Sequence, residues 1–134
     1  MIRHAKAEES GKEIWFINRT VLVLRTREPF DDWARGTDDG AAEAYDSSGG
    51  WTNSYLIPEF ESEEEAWEWL EANCGMIFEM ELDSWYSVPE VWPEDRSWNA
   101  FREWFDVELI ETAWDLVDEP LSSDPPDLSG GAEA

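Results

Sequence analysis

The sequence predicts a small α+β fold in which helices pack on a sheet of about three strands, and three observations carry the prediction. Val21, Leu22, Val23 and Leu24 are four apolar residues in succession, the pattern of a strand covered on both faces and therefore central in its sheet. Ser62 with Glu65 three residues later is a capping box, and the apolar residues after it recur at helical spacing. The segment 106–117 sets Val107 and Leu109 on one face and Ile110, Trp114 and Leu116 on the other, which suits a long final strand. The resulting order is strand, helix, strand, one or two helices, helix, strand.

Each element has a local reason. Ile14 to Ile17 and then Val21 to Leu24 are apolar runs separated by Asn18, Arg19 and Thr20, with the second run the firmer strand. Pro29 is tolerated in a first helical turn, and Phe30, Trp33 and Ala34 share a face before Gly36 stops the helix. GTDDGAAEAYDSSGG, residues 36–50, is dense in Gly, Ser and Asp and is expected to be a loop. Residues 51–60 form the next strand around Tyr55, Leu56 and Ile57, and Pro58 restricts it to an edge or an end. The capped helix carries Ala66, Trp67, Leu70, Cys74, Ile77 and Phe78 and runs to about Leu82. Gly75 costs about 1 kcal/mol inside it and is the place where it would split. Residues 85–93 are a connection bearing Pro and aromatic residues, after which Asp95 or Ser97 caps a helix through Trp98, Phe101, Trp104 and Phe105. The run at Val21 is expected to pair with the final strand, where Arg19, Arg25 and Arg27 can face Glu108, Glu111 or Asp115.

At 134 residues one core is expected, drawn as a single domain over 13–118 between a mobile N-terminal tail, 1–12, and a disordered C-terminal tail, 119–134. A net charge of −24 and a mean hydropathy of −0.59 lean toward the composition of disordered chains. Ten tryptophans and six phenylalanines argue the other way, since each large ring can remove roughly 150 to 250 Å² from water. The charge then belongs on the surface of a packed domain.

That charge is uneven. Residues 36–95 hold seventeen Asp and Glu and no Lys or Arg, while residues 1–35 hold seven cations against six acids. An acidic face repels nucleic acid and anionic membranes, so neither is expected as a direct partner. Only Lys6 and Lys12 are lysines, both near the N-terminus, with seven arginines making up the other cations. Such a coat suits a salt-accumulating, halophilic cytoplasm, where screening relieves self-repulsion. Cys74 is the only cysteine, which rules out an internal disulfide and fits a reducing cytosol. MIRHAKAEESGKE lacks the apolar core of a signal peptide, and no run of 18 apolar residues occurs.

Few residues suggest chemistry. His4, the only histidine, lies in the expected tail, leaving no positioned base for a Ser/His/Asp or Cys/His nucleophile. Cys74 falls on an apolar helical stripe, the setting of a buried, inert thiol. Asp38 with Asp39, and Glu59 with Glu61, are the pairs that would hold a hard cation loosely, but no calcium-loop spacing is present and a solvated surface is the simpler account. Gly36, Gly40, Gly49 and Gly50 do not make a phosphate-binding loop, and no lysine stands near them. No cofactor or metal is therefore expected. Trp51, Trp85, Tyr86 and Trp92 fall in predicted connections outside the helical and strand stripes, which makes them the candidate partner surface. The plainer alternative is that they close the edges of the core.

NRTVLVLRTREPFDDW (18–33), YLIPEFESEEEAWEWL (55–70) and WFDVELIETAWDL (104–116) together resemble a family of small bacterial cytosolic proteins without an assigned activity. The resemblance spans roughly 18–117. It implies a shared fold and transfers no catalytic residue; the segment 36–50, both tails and the acidity stand outside the family pattern.

Three functional readings follow. The first is a cytosolic binding or interaction module with a protein partner or a second copy, a homodimer forming through an uncovered sheet face. The second is a nucleic-acid mimic that inhibits a DNA-binding protein by presenting carboxylates as phosphates, which needs paired acidic rows along one elongated face. The third is a metal-assisted enzyme with carboxylate ligands. The salt-adapted surface makes one prediction: thermal melts show a higher Tm in molar KCl than in dilute buffer. A Tm indifferent to KCl contradicts it.

Overall fold

The computed structural model describes residues 3–7 and 12–122, with side chains from Phe16 onward. In chain order the elements are β1 (Arg3–Ala7), β2 (Lys12–Phe16), β3 (Arg19–Thr26), α1 (Glu28–Arg35), α2 (Ala41–Ser48), β4 (Thr52–Pro58), α3 (Glu63–Trp85), a 3-10 turn (Pro89–Val91), α4 (Trp98–Trp104), β5 (Phe105–Ile110) and β6 (Trp114–Asp115). The chain divides into two compact units, one running from Asn18 to Ala113 and one formed by the segments on either side of it. The sequence predicts one domain over 13–118.

The larger unit is the expected α+β fold, with a three-stranded antiparallel sheet and four helices. β3 is central, flanked by β4 and β5. Its register runs Arg19↔Pro58 to Arg25↔Thr52 on one side and Val21↔Ile110 to Thr26↔Phe105 on the other. The apolar run thus lies in the middle of the sheet. Leu22 and Leu24 are fully buried in the core, and Val23, which alternates to the opposite face, is buried too. Pro58, with no amide hydrogen, ends β4 at the sheet edge, as its chemistry requires. Of the expected charge ladder, Arg25 Nη1 meets Glu108 Oε1 at 2.9 Å, while Arg27 Nε meets Asp106 Oδ1, an acid outside the expected set, at 3.9 Å. Both pairs are half-exposed and contribute at most about 1 kcal/mol each.

The smaller unit is a second antiparallel sheet, ordered β1-β2-β6. Its strand β1 occupies part of the segment expected to be a tail, and puts His4 opposite Trp15. Residues 8–11 and 123–134, also assigned to tails, lie outside the described residues. Phe16 pairs in register with Trp114, and their rings are in contact.

Three expectations are corrected in detail. The segment 36–50 is not all loop, because α2 forms between Gly40 and Gly49, both with positive φ (81° and 75°). It buries only Ala41 and Tyr45, too few residues to leave an apolar stripe in the sequence. α3 is one helix of 23 residues that does not break at Gly75. Burial of Cys74, Ile77 and Phe78 around the glycine outweighs its propensity cost of about 1 kcal/mol. The long final strand stops at Ile110, and Trp114 and Asp115 belong to the other sheet.

Caps behave as the sequence implied. Ser62 Oγ accepts from the Glu65 amide at 3.2 Å, and Glu65 Oε1 accepts from the Glu61 amide at 3.2 Å. Ser97 Oγ accepts from the Ala100 amide at 3.3 Å and so is the cap of α4, while Asp95 accepts from the Ser97 amide. That bonding to Ser97 holds the Asp95 carboxyl below its ordinary range.

The core is phenylalanine-filled. Phe30, Phe78, Phe101 and Phe105 are all at most 1% exposed. Phe78 lies 5.3 to 6.0 Å from Phe101, Trp104 and Phe105, mostly edge-on, the arrangement that ring quadrupoles favour. Phe78→Ala removes α3's largest core contribution and is expected to cost about 3 to 5 kcal/mol in urea unfolding followed by tryptophan fluorescence; a loss under about 1 kcal/mol contradicts this packing.

Candidate docking site

Tryptophan plays a different part from phenylalanine. Trp33, Trp51, Trp67, Trp69, Trp85, Trp92, Trp98 and Trp104 are all partly buried against the core, so the indoles form its collar. Their ring nitrogens tie elements together. Trp33 donates to the Val91 carbonyl at 2.8 Å, linking α1 to the connection before α4. Arg102 stacks over Trp67 and Trp98, 5.0 and 5.3 Å from their centroids.

The four residues singled out from the sequence divide into two pairs. Trp51 and Trp85 meet, with centroids 5.6 Å apart, and both pack on Tyr45. Trp85 is not in a connection: it is the last residue of α3. Its Nε1 donates to both the Ala34 carbonyl and Thr37 Oγ1 at 3.0 Å, which pins the end of α3 to the end of α1. Tyr86 and Trp92 lie in the connection, and Trp92 Nε1 donates to the Tyr86 carbonyl at 2.8 Å. All four are half-buried, and Trp51, Trp85 and Trp92 rest against the core cluster.

Beneath Trp51 lies a group that sequence reasoning missed. Glu81 is fully buried and has no cationic partner among the described residues. Its carboxylate accepts from Trp51 Nε1 at 3.1 Å, from Asn53 Nδ2 at 2.8 Å and from the Tyr55 hydroxyl. A buried carboxylate is tolerated only when its lone pairs are satisfied, and these three donors lock α3 to the start of β4. The signal was present in the sequence: Glu81 sits between Phe78 and Leu82 on the face that α3 buries. A second such contact joins α2 to α1 and β3, where Tyr45 donates to Asp31 and its hydroxyl is 3.2 Å from Thr26 Oγ1.

Beside Trp85 the surface opens. A depression of about 220 Å³ is lined by Thr37, Asp38, Asp39, Gly40, Ala41, Ala44, Trp85 and Tyr86. Trp85 and Tyr86 provide its aromatic wall and the two aspartates its charge. Arg35, the nearest cation in sequence, is engaged with Asp32 at 3.1 Å and Asp46 at 2.8 Å. Its hydrogen bond to Asp46 raises its pKa further. Neither Asp38 nor Asp39 has an ion-pair partner among the described residues. The chemistry on offer is recognition of a cation with an apolar stem: carboxylates for its charge and ring faces for its carbons.

Other candidates give less. Among the described residues no group of three or more His, Cys, Asp or Glu is arranged to hold a metal ion. Cys74 is buried, and burial raises its thiol pKa, the condition of an unreactive sulfur. No described helix is long and apolar enough to cross a membrane. No protein-family model, curated protein or solved structure matches the chain.

Both clamped phenols titrate late. Burial first, then the hydrogen bond to Asp31, pushes Tyr45 up to about 12. Burial and then Glu81 push Tyr55 well above the ordinary phenol range. Because the folded state raises both values, their contribution to stability is complete below the ordinary tyrosine pKa of about 10 and is lost as pH rises from there through the folded value. Denaturation midpoints are therefore expected to fall between pH 10 and 12, and to fall less steeply in Tyr45→Phe. An unchanged slope in that variant contradicts the assignment.

Proposed function

We propose that this chain is a binding module that docks a basic segment of a partner protein in the depression beside Trp85 and Tyr86. The observation that carries the reading is the pairing, in one open concavity, of those two rings with the ion-pair-free Asp38 and Asp39. The surrounding charge favours the same partner, since residues 36–95 contain no cation to repel it and seventeen acids to attract it. The site is also preorganised. Trp85 is held by two hydrogen bonds and the backbone at Tyr86 by a third, so ordering costs little on binding.

The acidic residues of α3 support a basic partner better than phosphate mimicry. Glu64, Glu68, Glu71, Glu79 and Asp83 form a single row, interrupted at Gly75, and Glu79 is engaged by Arg96 Nη2 at 3.2 Å. A mimic needs paired rows at sustained spacing.

The test is fluorescence anisotropy of a labelled Arg- and Lys-rich peptide with the full chain at 0.1 M salt. Asp38→Asn with Asp39→Asn is expected to weaken binding at least fivefold, and the equal charge change Glu64→Gln with Glu68→Gln less than twofold. Equal losses from the two pairs, or no binding of the peptide, overturn the proposal.

A further inference from the structure

A second cavity lies at the other end of α3. It has a volume of about 140 Å³ and is lined by Thr20 of β3, Leu109 of β5, Phe60, Glu61, Ser62, Glu63 and Ala66 around the helix start, and Glu111 just past β5. Two features set it apart from an ordinary surface dent. Thr20 is only 6% exposed, and its hydroxyl has no hydrogen-bond partner among the described residues. Thr20 alternates with Leu22 and Leu24 toward the helix-covered face of the sheet, and its side chain lines this space. A buried hydroxyl left unpaired costs stability, so the site is short of a partner.

The rest of the lining states what that partner is. The helix start, which would ordinarily attract an anion, already carries the chain's own carboxylates Glu63, Glu64 and Glu65 in its first turn. Ser62 takes the Glu65 amide, and the Glu65 side chain takes the Glu61 amide. What the rim then presents is three carboxylates, Glu61, Glu63 and Glu111, none in an ion pair among the described residues, with Glu63 Oε2 accepting from Trp67 Nε1 at 3.5 Å. The inner wall is apolar and carries an aromatic ring, Phe60. No metal is called for, since the carboxylates are not grouped closely enough to hold one.

We propose that this cavity receives the side chain of an arginine from a partner protein. The methylene stem lies along Leu109 and Ala66, the guanidinium plane lies on Phe60, and its N–H groups donate to Glu111, Glu61 or Glu63 and to Thr20 Oγ1. Arginine fits better than lysine because it brings five donors in a planar fork to several separated acceptors and stacks on a ring. A residue within a chain fits better than the free amino acid, whose α-carboxylate meets the three glutamates. The inference deepens the basic-partner reading and rests on it only for the source of the arginine, because none of the residues that line this cavity borders the depression at Trp85.

The test is a titration of the ¹⁵N-labelled full chain at matched ionic strength with Nα-acetyl-arginine amide, its uncharged isostere Nα-acetyl-citrulline amide, and free arginine. Saturable shifts are expected at Thr20, Phe60, Ser62, Leu109 and Glu111 with the first compound, with affinity at least fivefold lower for the other two. Thr20→Val, which keeps the side chain's shape, and Glu111→Gln, at an exposed position, are each expected to weaken binding at least threefold. Asp38→Asn with Asp39→Asn is expected to leave these shifts unchanged, so this site and the depression stand or fall separately. Equal binding of the citrulline compound, shifts spread over the acidic surface without saturation, or affinity unaffected by both cavity variants would overturn the proposal.

Discussion

Everything in the larger unit depends on edge-on packing of a few phenylalanine rings. Phe30 touches Trp33, Tyr45, Trp51, Trp104 and Phe105, with centroids 5.3 to 6.3 Å away, and Phe78 extends the cluster to Phe101. These contacts draw α1, α2, α3, α4 and β5 onto one interior. They must do so against a net charge of −24 that opposes compaction. Large rings suit the task because each buries more apolar area than an aliphatic side chain and has few rotatable bonds to immobilise.

The division of labour between phenylalanine and tryptophan links this core to the proposed docking site. Phenylalanine, with no polar atom, can be fully enclosed. An indole carries one N–H that needs an acceptor, so it settles at the rim, where Ala34, Glu81, Tyr86 and Val91 supply oxygens. A rim indole does two things at once: its nitrogen fixes a junction, and its ring can remain partly open to a ligand. Trp85 does both, tying α3 to α1 while walling the depression that Asp38 and Asp39 border. Closing the core and forming a binding surface are therefore compatible roles for the same residue.

The two concavities at opposite ends of α3 share a chemistry of carboxylates beside an aromatic ring, yet differed in how readily they could be read. Trp85 and Tyr86 were visible as aromatics off the apolar stripes, although Trp85 belongs to the helix. Asp38 and Asp39 were visible as a pair whose purpose was obscure. Thr20 left no comparable trace, and Glu81 left only its place between Phe78 and Leu82 on the buried face of α3. A threonine in a strand and a glutamate in a helix are ordinary residues, and only the packing shows that one hydroxyl lacks a partner and that one carboxylate has three donors.

By itself the sequence determined what depends on near neighbours along the chain: the central strand at Val21–Leu24, the Pro29 helix start, the Ser62 and Ser97 caps, the edge position of Pro58, and a charge carried at the surface. These follow from covalent geometry, local hydrogen bonds and hydrophobic period, which act over a few residues. Tertiary structure alone decided the rest. It made a helix of residues 41–48 because Tyr45 found Asp31 and Phe30, carried α3 through Gly75 because burial on both sides outweighed one residue's propensity, and divided the final apolar segment between two sheets. It also chose which carboxylates enclose a cavity. Each of those outcomes turns on contacts between residues far apart in the chain, whose free energy exceeds any local preference and leaves no periodic mark in the sequence.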